Sequence, residues 1–282
     1  MSDKNHIPNT PPENAFYDNY YNTFKIVKAD TPELLEDIFR LRYDVYCKEN
    51  GYINATFHHG GMECDSYDAL ADHFALIHIE TNDTIGTARV VYKDASKQGG
   101  FPMQTHCDHP FIHDEKNVKQ LCQISRFCMH KDFRRRDGDG TLLPRYTAPE
   151  NKKGIHHGEM VYLRRSIPYA PLGLFMAAFD AALDNGVRDC LLNIEQSQLQ
   201  AFNQMGLSYH TLGPITYPHG AMQPVVFNMK NLMDTLLIDN PPCWDIISDR
   251  GRLHKRANNQ HLNDWQDTII DTLDWDKVLN AV

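Results

Sequence analysis

Leu121-Cys122-Gln123-Ile124-Ser125-Arg126-Phe127-Cys128-Met129-His130 is the stretch about which the other elements fall into order. It alternates as a β-strand does, placing Gln123 and Ser125 on one face and Ile124, Arg126 and Cys128 on the other. Upstream, Phe24-Lys25-Ile26-Val27 reads as a short strand. His73 to Glu80 and Thr84 to Tyr92 read as two more, joined by the Thr81-Asn82-Asp83 turn, with Gly86 marking a bulge. A helix lies between the first strand and this hairpin. Thr31 is a capping hydroxyl ahead of Pro32, the apolar residues Leu34, Ile38, Leu41 and Val45 recur on one helical face, and Gly51 supplies the stop near Asn50. Downstream, Leu172, Phe175, Met176, Phe179 and Leu183 mark a second amphipathic helix capped by Gly186. Asp189 to Ile194 is then a strand, Ser197 to Met205 a short helix closed by Gly206, and Leu207 to Leu212 and Pro224 to Met229 the last strands. This order predicts one α/β domain, a mixed sheet with helices on both faces.

The flanks read differently. Residues 1–20 are rich in Asn, Pro and Asp with no apolar period, so a flexible tail is expected there, followed by the folded domain over 21–235. Residues 236–282 are expected to form a C-terminal helical extension, because Leu232, Leu236, Trp244, Trp265, Ile269 and Leu273 are spaced as outer helices interrupted at Pro241-Pro242. Residues 93–119 form a long irregular connection of the kind that is functional or mobile.

Composition excludes some functions. The 282 residues carry 28 Lys and Arg against 37 Asp and Glu, a net charge of -9, which argues against nucleic-acid binding by the surface as a whole and leaves only local basic patches to dock an acidic partner. Seven cysteines, an odd number without C-x-x-C spacing, fit a reducing cytoplasm. The start of the chain lacks the charge and apolar run of a secretory signal. No transmembrane segment is expected, since the most apolar stretch, Leu172 to Leu183, is short and carries Asp180.

The densest chemistry is in Gly61-Met62-Glu63-Cys64-Asp65-Ser66-Tyr67-Asp68. If extended, this segment puts Glu63, Asp65 and Tyr67 on one face and Asp68 on the other. Arg42 and Tyr46 stack on one stripe of the preceding helix and point at the same place. With Arg89 and Arg126 the set mixes guanidiniums and carboxylates. It suits an acceptor bearing both an ammonium and a carboxylate, because Arg pairs a carboxylate in a two-bond fork while Asp or Glu receives the amine. The same residues also read as a structural ion-pair network at a helix-to-strand corner. Arg135, Gly138 and Gly140 form R-x-x-G-x-G, in which freed backbone N–H groups would cradle a phosphate, or which is simply a solvated basic turn. His106, Cys107, Asp108, His109 and His113 match no zinc spacing, so no metal is expected. Cys122 and Cys128 read as packing residues, and no G-x-S-x-G elbow is present.

Arg42-x-x-Val45-Tyr46, Glu63-x-Asp65-x-Tyr67-Asp68, Gly86-Thr87-Ala88-Arg89 and Gln123-Ile124-Ser125-Arg126-Phe127 resemble, in order and spacing, the acyl-homoserine-lactone (autoinducer) synthases. They are still more similar to the N-acyl amino acid synthases and the acyltransferases associated with PEP-CTERM/exosortase systems, whose C-terminal part is matched by Gly213-Pro214, Tyr217, Gly220, Gln223-Pro224 and Phe227. The likeness covers roughly residues 24–235. It implies the GNAT fold, a mostly antiparallel central sheet, with transfer of a medium or long fatty acyl group from acyl carrier protein to the amine of an amino acid or similar acceptor. No bound cofactor is implied, the donor being the 4′-phosphopantetheine thioester, whose arm enters where two central strands part.

The resemblance also implies roles. Glu63, Asp65, Gln123 and Ser125 fall in the catalytic set, with Arg42, Tyr46, Asp68, Arg89 and Arg126 toward the substrate. Arg134, Arg135 and Arg136, with Gly138 and Gly140, face the carrier protein and its pantetheine. A carboxylate is the expected base for the attacking amine, and backbone N–H groups of strand 121–130 the expected oxyanion donors. Related sequences commonly have a glutamate where this chain has Gln123, and an amide cannot serve as a base. Either Glu63 or Asp65 therefore carries the proton, or Gln123 orients a group by hydrogen bonding, or activity is reduced; Glu63 is expected first. The rival readings are a lactone synthase using S-adenosylmethionine, an ornithine- or glutamine-lipid acyltransferase, and a non-catalytic carrier-protein binding module. A cytoplasmic protein with transient membrane contact through a lipidic product is expected.

Overall fold

The computed structural model describes residues 15–58, 60–93, 100–133 and 169–263. The first element corrects the expected tail. Ala15–Thr23 is a helix, α1, and Tyr20 on it is fully buried. Phe16, Tyr17, Tyr20, Tyr21 and Phe24 recur at helical spacing, and burial of that aromatic stripe outweighs the poor helix propensity of the Asn and Asp among them. The Tyr20 hydroxyl donates to the Ala170 carbonyl at 2.6 Å and accepts from the Gly173 amide at 2.8 Å. Tyr20→Phe leaves both backbone groups buried without a partner. A loss of about 1–3 kcal/mol in unfolding free energy is expected by urea denaturation, and an unchanged midpoint would mean that α1 does not anchor here.

Strand β1 (Phe24–Lys28) leads to α2 (Pro32–Arg42), which Thr31 caps by accepting the Leu34 amide. The helix does not run evenly to Asn50. It widens over Tyr43–Glu49 into a π-helical turn, a form often found at functional sites, before Gly51 turns the chain at a φ of 63°. The hairpin is β2 (Ala71–His78) and β3 (Asp83–Tyr92), and its register slips between Leu76 opposite Gly86 and Ile77 opposite Thr84, leaving Ile85 as the extra residue of a bulge.

The connection expected to be irregular contains a 3-10 turn, Pro102–Thr105, and two short helices, α3 (Pro110–His113) and α4 (Glu115–Val118). Phe101, Met103, Ile112 and Val118 pack it against Val91, Leu121, Leu191 and Val226 of the sheet. The central strand, β4 (Leu121–Met129), departs from simple alternation. Thr87 lies opposite Cys128 but Arg89 opposite Ser125, so Arg126 and Phe127 together face Ala88, and Arg126 adopts a φ of 49°. This bulge resets the pleat. Arg126 and Cys128 stand on the face of Ser125, not of Ile124, and Phe127 takes the other.

After α5 (Leu172–Asp184) come β5 (Asp189–Glu195), α6 (Leu199–Met205), β6 (His210–Thr211) and β7 (Met222–Asn228). The sheet order is β1-β2-β3-β4-β5-β7-β6. Every pairing is antiparallel except β4 with β5, and that parallel ladder ends at Ile124 opposite Leu192. Beyond this pair the two central strands part. Phe175, Ala178, Phe179 and Ala182 of α5 cover one face of the sheet against Leu76, Ala88, Ile124 and Phe227, while α2 and the 101–118 segment cover the other.

The last helices are α7 (Met229–Asp239), α8 (Pro241–Ile247) and α9 (Arg252–Asn263). Asn240 caps α8 ahead of Pro241, so the prolines start a helix instead of breaking one. The boundary expected at 235 falls inside α7, whose buried Leu232, Met233 and Leu236 belong to the main core. Arg252 and Arg256 then tie α9 to Asp180 on α5. Trp265, Ile269 and Leu273 lie outside the described residues, and among those described no helix is long and apolar enough to cross a membrane.

Candidate active site

The segment after the π-helical turn closes on itself. The Asp65 amide donates to Asp68 Oδ2 at 2.7 Å and the Tyr67 amide to Asp65 Oδ1 at 2.9 Å, so Glu63 to Asp68 is a turn and not an extended strand. Asp68 therefore faces the same arginines as Glu63 and Asp65. Arg42, fully buried, donates Nε to Glu63 Oε2 at 2.6 Å and both Nη groups to Asp68 at 2.8 and 3.1 Å. Arg89 reaches Asp65 at 2.5 Å, Asp68 at 2.7 Å and the Ser125 hydroxyl at 3.1 Å. Arg126 grips Glu63 through Nε and Nη2 at 2.8–3.1 Å and Asp65 through Nη2 at 2.9 Å. The positive φ at Arg126 aims its guanidinium into this cluster, where it also lies over the Tyr46 ring.

Burial sorts the members. Glu63 is 1% exposed and both its oxygens are taken by guanidiniums. Burial would raise its pKa, but Arg42 and Arg126 override that and hold it below the usual carboxylate range. Asp68 is likewise held down against the effect of burial by hydrogen bonds and charge from Arg42, then Arg89. Such carboxylates keep their charge and are weak bases. Asp65 and Arg126 are the open pair, with side chains 27% and 12% exposed.

They line a cleft of about 910 Å³ that runs through the gap between β4 and β5. On one face of the sheet its wall is polar, with Asp65, His106, Gln123, Ser125, Arg126 and Asn193. On the other it is apolar, where Phe127 and Phe202 pack on Phe175 beside Leu172 and Met205. Gln123 is buried, and its Oε1 accepts the Met103 amide at 2.8 Å, holding the 3-10 turn against the sheet.

Sequence reasoning thus found Arg42, Tyr46, Glu63, Asp65, Asp68, Arg89, Ser125 and Arg126, and the structure brings them together. Arg134, Arg135, Arg136, Gly138 and Gly140 lie outside the described residues. His106, Asn193, Glu195 and His219 also line the cleft and were missed as a group. His106 had been weighed only with its neighbours as a metal cluster. The structure spends those neighbours locally. Cys107 Sγ meets the Leu212 carbonyl, His113 the Cys107 carbonyl and His109 the Phe111 amide, and among the described residues no three ligating side chains are grouped.

Comparison with known proteins agrees with this fold. Residues 41–143 match the family described as acetyltransferase (GNAT) domain, so the chain carries an acyltransferase domain of that kind. An N-acyl amino acid synthase from uncultured soil microbes, FeeM, aligns over 75% of this chain and 93% of its own at 14% identity, with a TM-score of 0.50. TofI, solved in a ternary complex with an inhibitor and MTA, aligns over 78% of this chain and 100% of its own at 16% identity, also at 0.50. At these identities the likeness is one of fold. No protein of curated function matches the sequence significantly.

Proposed function

We propose that this chain is an N-acyltransferase that moves a medium or long fatty acyl group from acyl carrier protein to the amine of an amino acid or similar small acceptor. One observation carries the reading. The gap between β4 and β5 joins a polar, ion-paired wall on one face of the sheet to an apolar, aromatic wall on the other. A thioester lying in the gap would have its alkyl chain among Phe127, Phe175 and Phe202 and its carbonyl beside Ser125.

Asp65 and Arg126 are the acceptor's seat. A zwitterion satisfies them in place of one another, its ammonium on Asp65 and its carboxylate on Arg126. Both charges stay compensated. Arg42, Glu63, Asp68 and Arg89 sit behind them as fixed charges that set their orientation at no reorganisation cost during reaction. Backbone N–H groups of β4 beyond Ile124, freed from pairing with β5, are the oxyanion donors. On the donor side Arg134, Arg135 and Arg136 dock the acidic carrier, with Gly138 and Gly140 at the pantetheine phosphate; the cofactor arm arrives with the carrier. The protein works in the cytoplasm, and its lipidic product brings it into passing contact with the membrane.

The test supplies carrier protein charged with several chain lengths, together with a panel of amino acids and S-adenosylmethionine, and follows thiol release and product mass. An N-acyl amino acid is the expected product. A lactone would overturn the acceptor assignment, and carrier binding without thiol release would make the chain a binding module.

A further inference from the structure

In the acyl-transfer reading the attacking nitrogen arrives as an ammonium and must lose a proton, yet the residues first in line to take it are disqualified. Gln123 is an amide, and Glu63 is locked between two guanidiniums. Asp65 already accepts from Arg89, Arg126 and the Tyr67 amide. Resting on that reading, we propose that His106 is the general base of this active site and that Gln123 positions it.

The geometry singles out one nitrogen. Asn193 is the first residue of β5 past the last β4 pairing, as Ser125 is on β4, so these two flank the vertex of the gap. His106 Nε2 lies 3.0 Å from Asn193 Nδ2, which puts the imidazole at that vertex. The Thr105 hydroxyl gives its own proton to the Pro102 carbonyl at 2.8 Å and so accepts from His106 Nδ1 at 3.1 Å. The proton is thereby fixed on Nδ1, and Nε2 accepts from Asn193 Nδ2 at the edge of the cleft, a bond that an incoming ammonium takes over. Burial lowers the pKa of His106, more than its bond to Asn193 raises it, and keeps the ring neutral at ordinary pH. Among the described residues nothing bonds Asn193 Oδ1, which is buried in the same place. An incoming ammonium offers one proton to Nε2 and another to Oδ1.

Gln123 enters through the backbone. Its bond to the Met103 amide anchors the 3-10 turn that ends at Thr105, directly before His106. The amide that cannot take a proton thus holds in place the ring that can. Among the other titratable groups of the cleft, Glu195 sits two residues beyond Asn193 on β5, about 7 Å further from the vertex, and accepts from the Tyr52 hydroxyl. Among the described residues the remaining rival is His219, its pKa lowered by burial and then by the charge of Arg126.

The step balances. His106 Nε2 takes one proton from the ammonium, the freed amine attacks the thioester carbonyl to form the C–N bond, and the tetrahedral intermediate breaks its C–S bond. The imidazolium returns that proton to the sulfur, giving the thiol, and the nitrogen's second proton leaves to solvent as the amide forms.

His106→Ala is expected to lower kcat by about 10²- to 10⁴-fold with little change in KM for either substrate, and added imidazole to restore part of the rate. Gln123→Leu should lose rate in the same way, whereas Gln123→Glu, which still accepts the Met103 amide, should keep it. Wild-type kcat in His106→Ala, a loss confined to KM, or loss and imidazole rescue at His219→Ala in its place would overturn the assignment while leaving acyl transfer intact. Absence of amide product from the wild-type protein with every acceptor overturns the acyl-transfer reading, and the role of His106 with it.

Discussion

Arg42→Met is expected to lower the free energy of unfolding by about 3–5 kcal/mol, the cost of removing one partner from a buried network of ion pairs. Methionine fills much of the same volume, so the loss reports charge and not a cavity. Glu63 and Asp68 each lose direct hydrogen bonds, Glu63 where water does not reach and Asp68 where its side chain is 9% exposed. The pH dependence makes the cause identifiable. Both carboxylates have folded pKa values below their unfolded ones, so the stability they contribute is complete above the unfolded value of about 4 and is lost as pH falls beneath it. In Arg42→Met the largest lowering contribution to Asp68 is gone and only Arg89 and the Asp65 amide still oppose burial, so protonation costs the variant less than it costs the wild type. The gap between the two should be widest near neutral pH and narrow below about pH 4. Urea titrations at several pH values measure it, and a loss under 1 kcal/mol, or a gap constant down to pH 3, would show that the cluster is not what fixes this corner.

What the sequence revealed and what it hid divide along a physical line. The order of elements was legible because it is written in local periods, such as the Leu172 to Leu183 stripe and the alternation from Leu121 to Ser125. The bulge at Arg126 was not, since glycine is the usual flag for a positive φ and here an arginine bears it, held by Glu63 and Asp65 more than sixty residues away in sequence. Asp68 was turned to the wrong face for a similar reason. An extended backbone was assumed, but the Asp68 carboxylate itself bends the segment by accepting the Asp65 amide. The aromatic stripe of α1 was masked by the polar residues around it, and only burial against Ala170 and Gly173 gives it meaning. His106 was visible as a residue and invisible as a site. Its partner Asn193 lies 87 positions on, brought beside it by the parallel pairing of β4 with β5. The members of the ion cluster were found because residue type and spacing carry them, whereas their division into a buried set and an open pair comes from packing alone.

That division leads to opposite outcomes for two neighbouring carboxylates. Asp65→Asn removes the negative charge from the open pair while keeping the shape and an acceptor oxygen for the Tyr67 amide. A charge-assisted hydrogen bond to the acceptor ammonium is worth about 1.5–3 kcal/mol, so its KM should rise by about 10- to 100-fold with kcat nearly unchanged. Stability should fall little, because a side chain exposed by 27% makes ion pairs that water partly screens. Glu63→Gln should do the reverse. Both of its oxygens are engaged by guanidiniums in a site closed to water, and an amide can offer only one of them while turning N–H groups toward a cation. A loss of about 3–5 kcal/mol in stability is expected, with the folded fraction retaining much of its turnover. The same two variants separate this arrangement from one in which Glu63 takes the proton. In that case Glu63→Gln would keep its melting temperature and lose kcat, and Asp65→Asn would act on binding alone as before. Measuring melting temperature, kcat and acceptor KM on both proteins decides the matter, and a stable, inactive Glu63→Gln would return the base to Glu63 and leave His106 without its role.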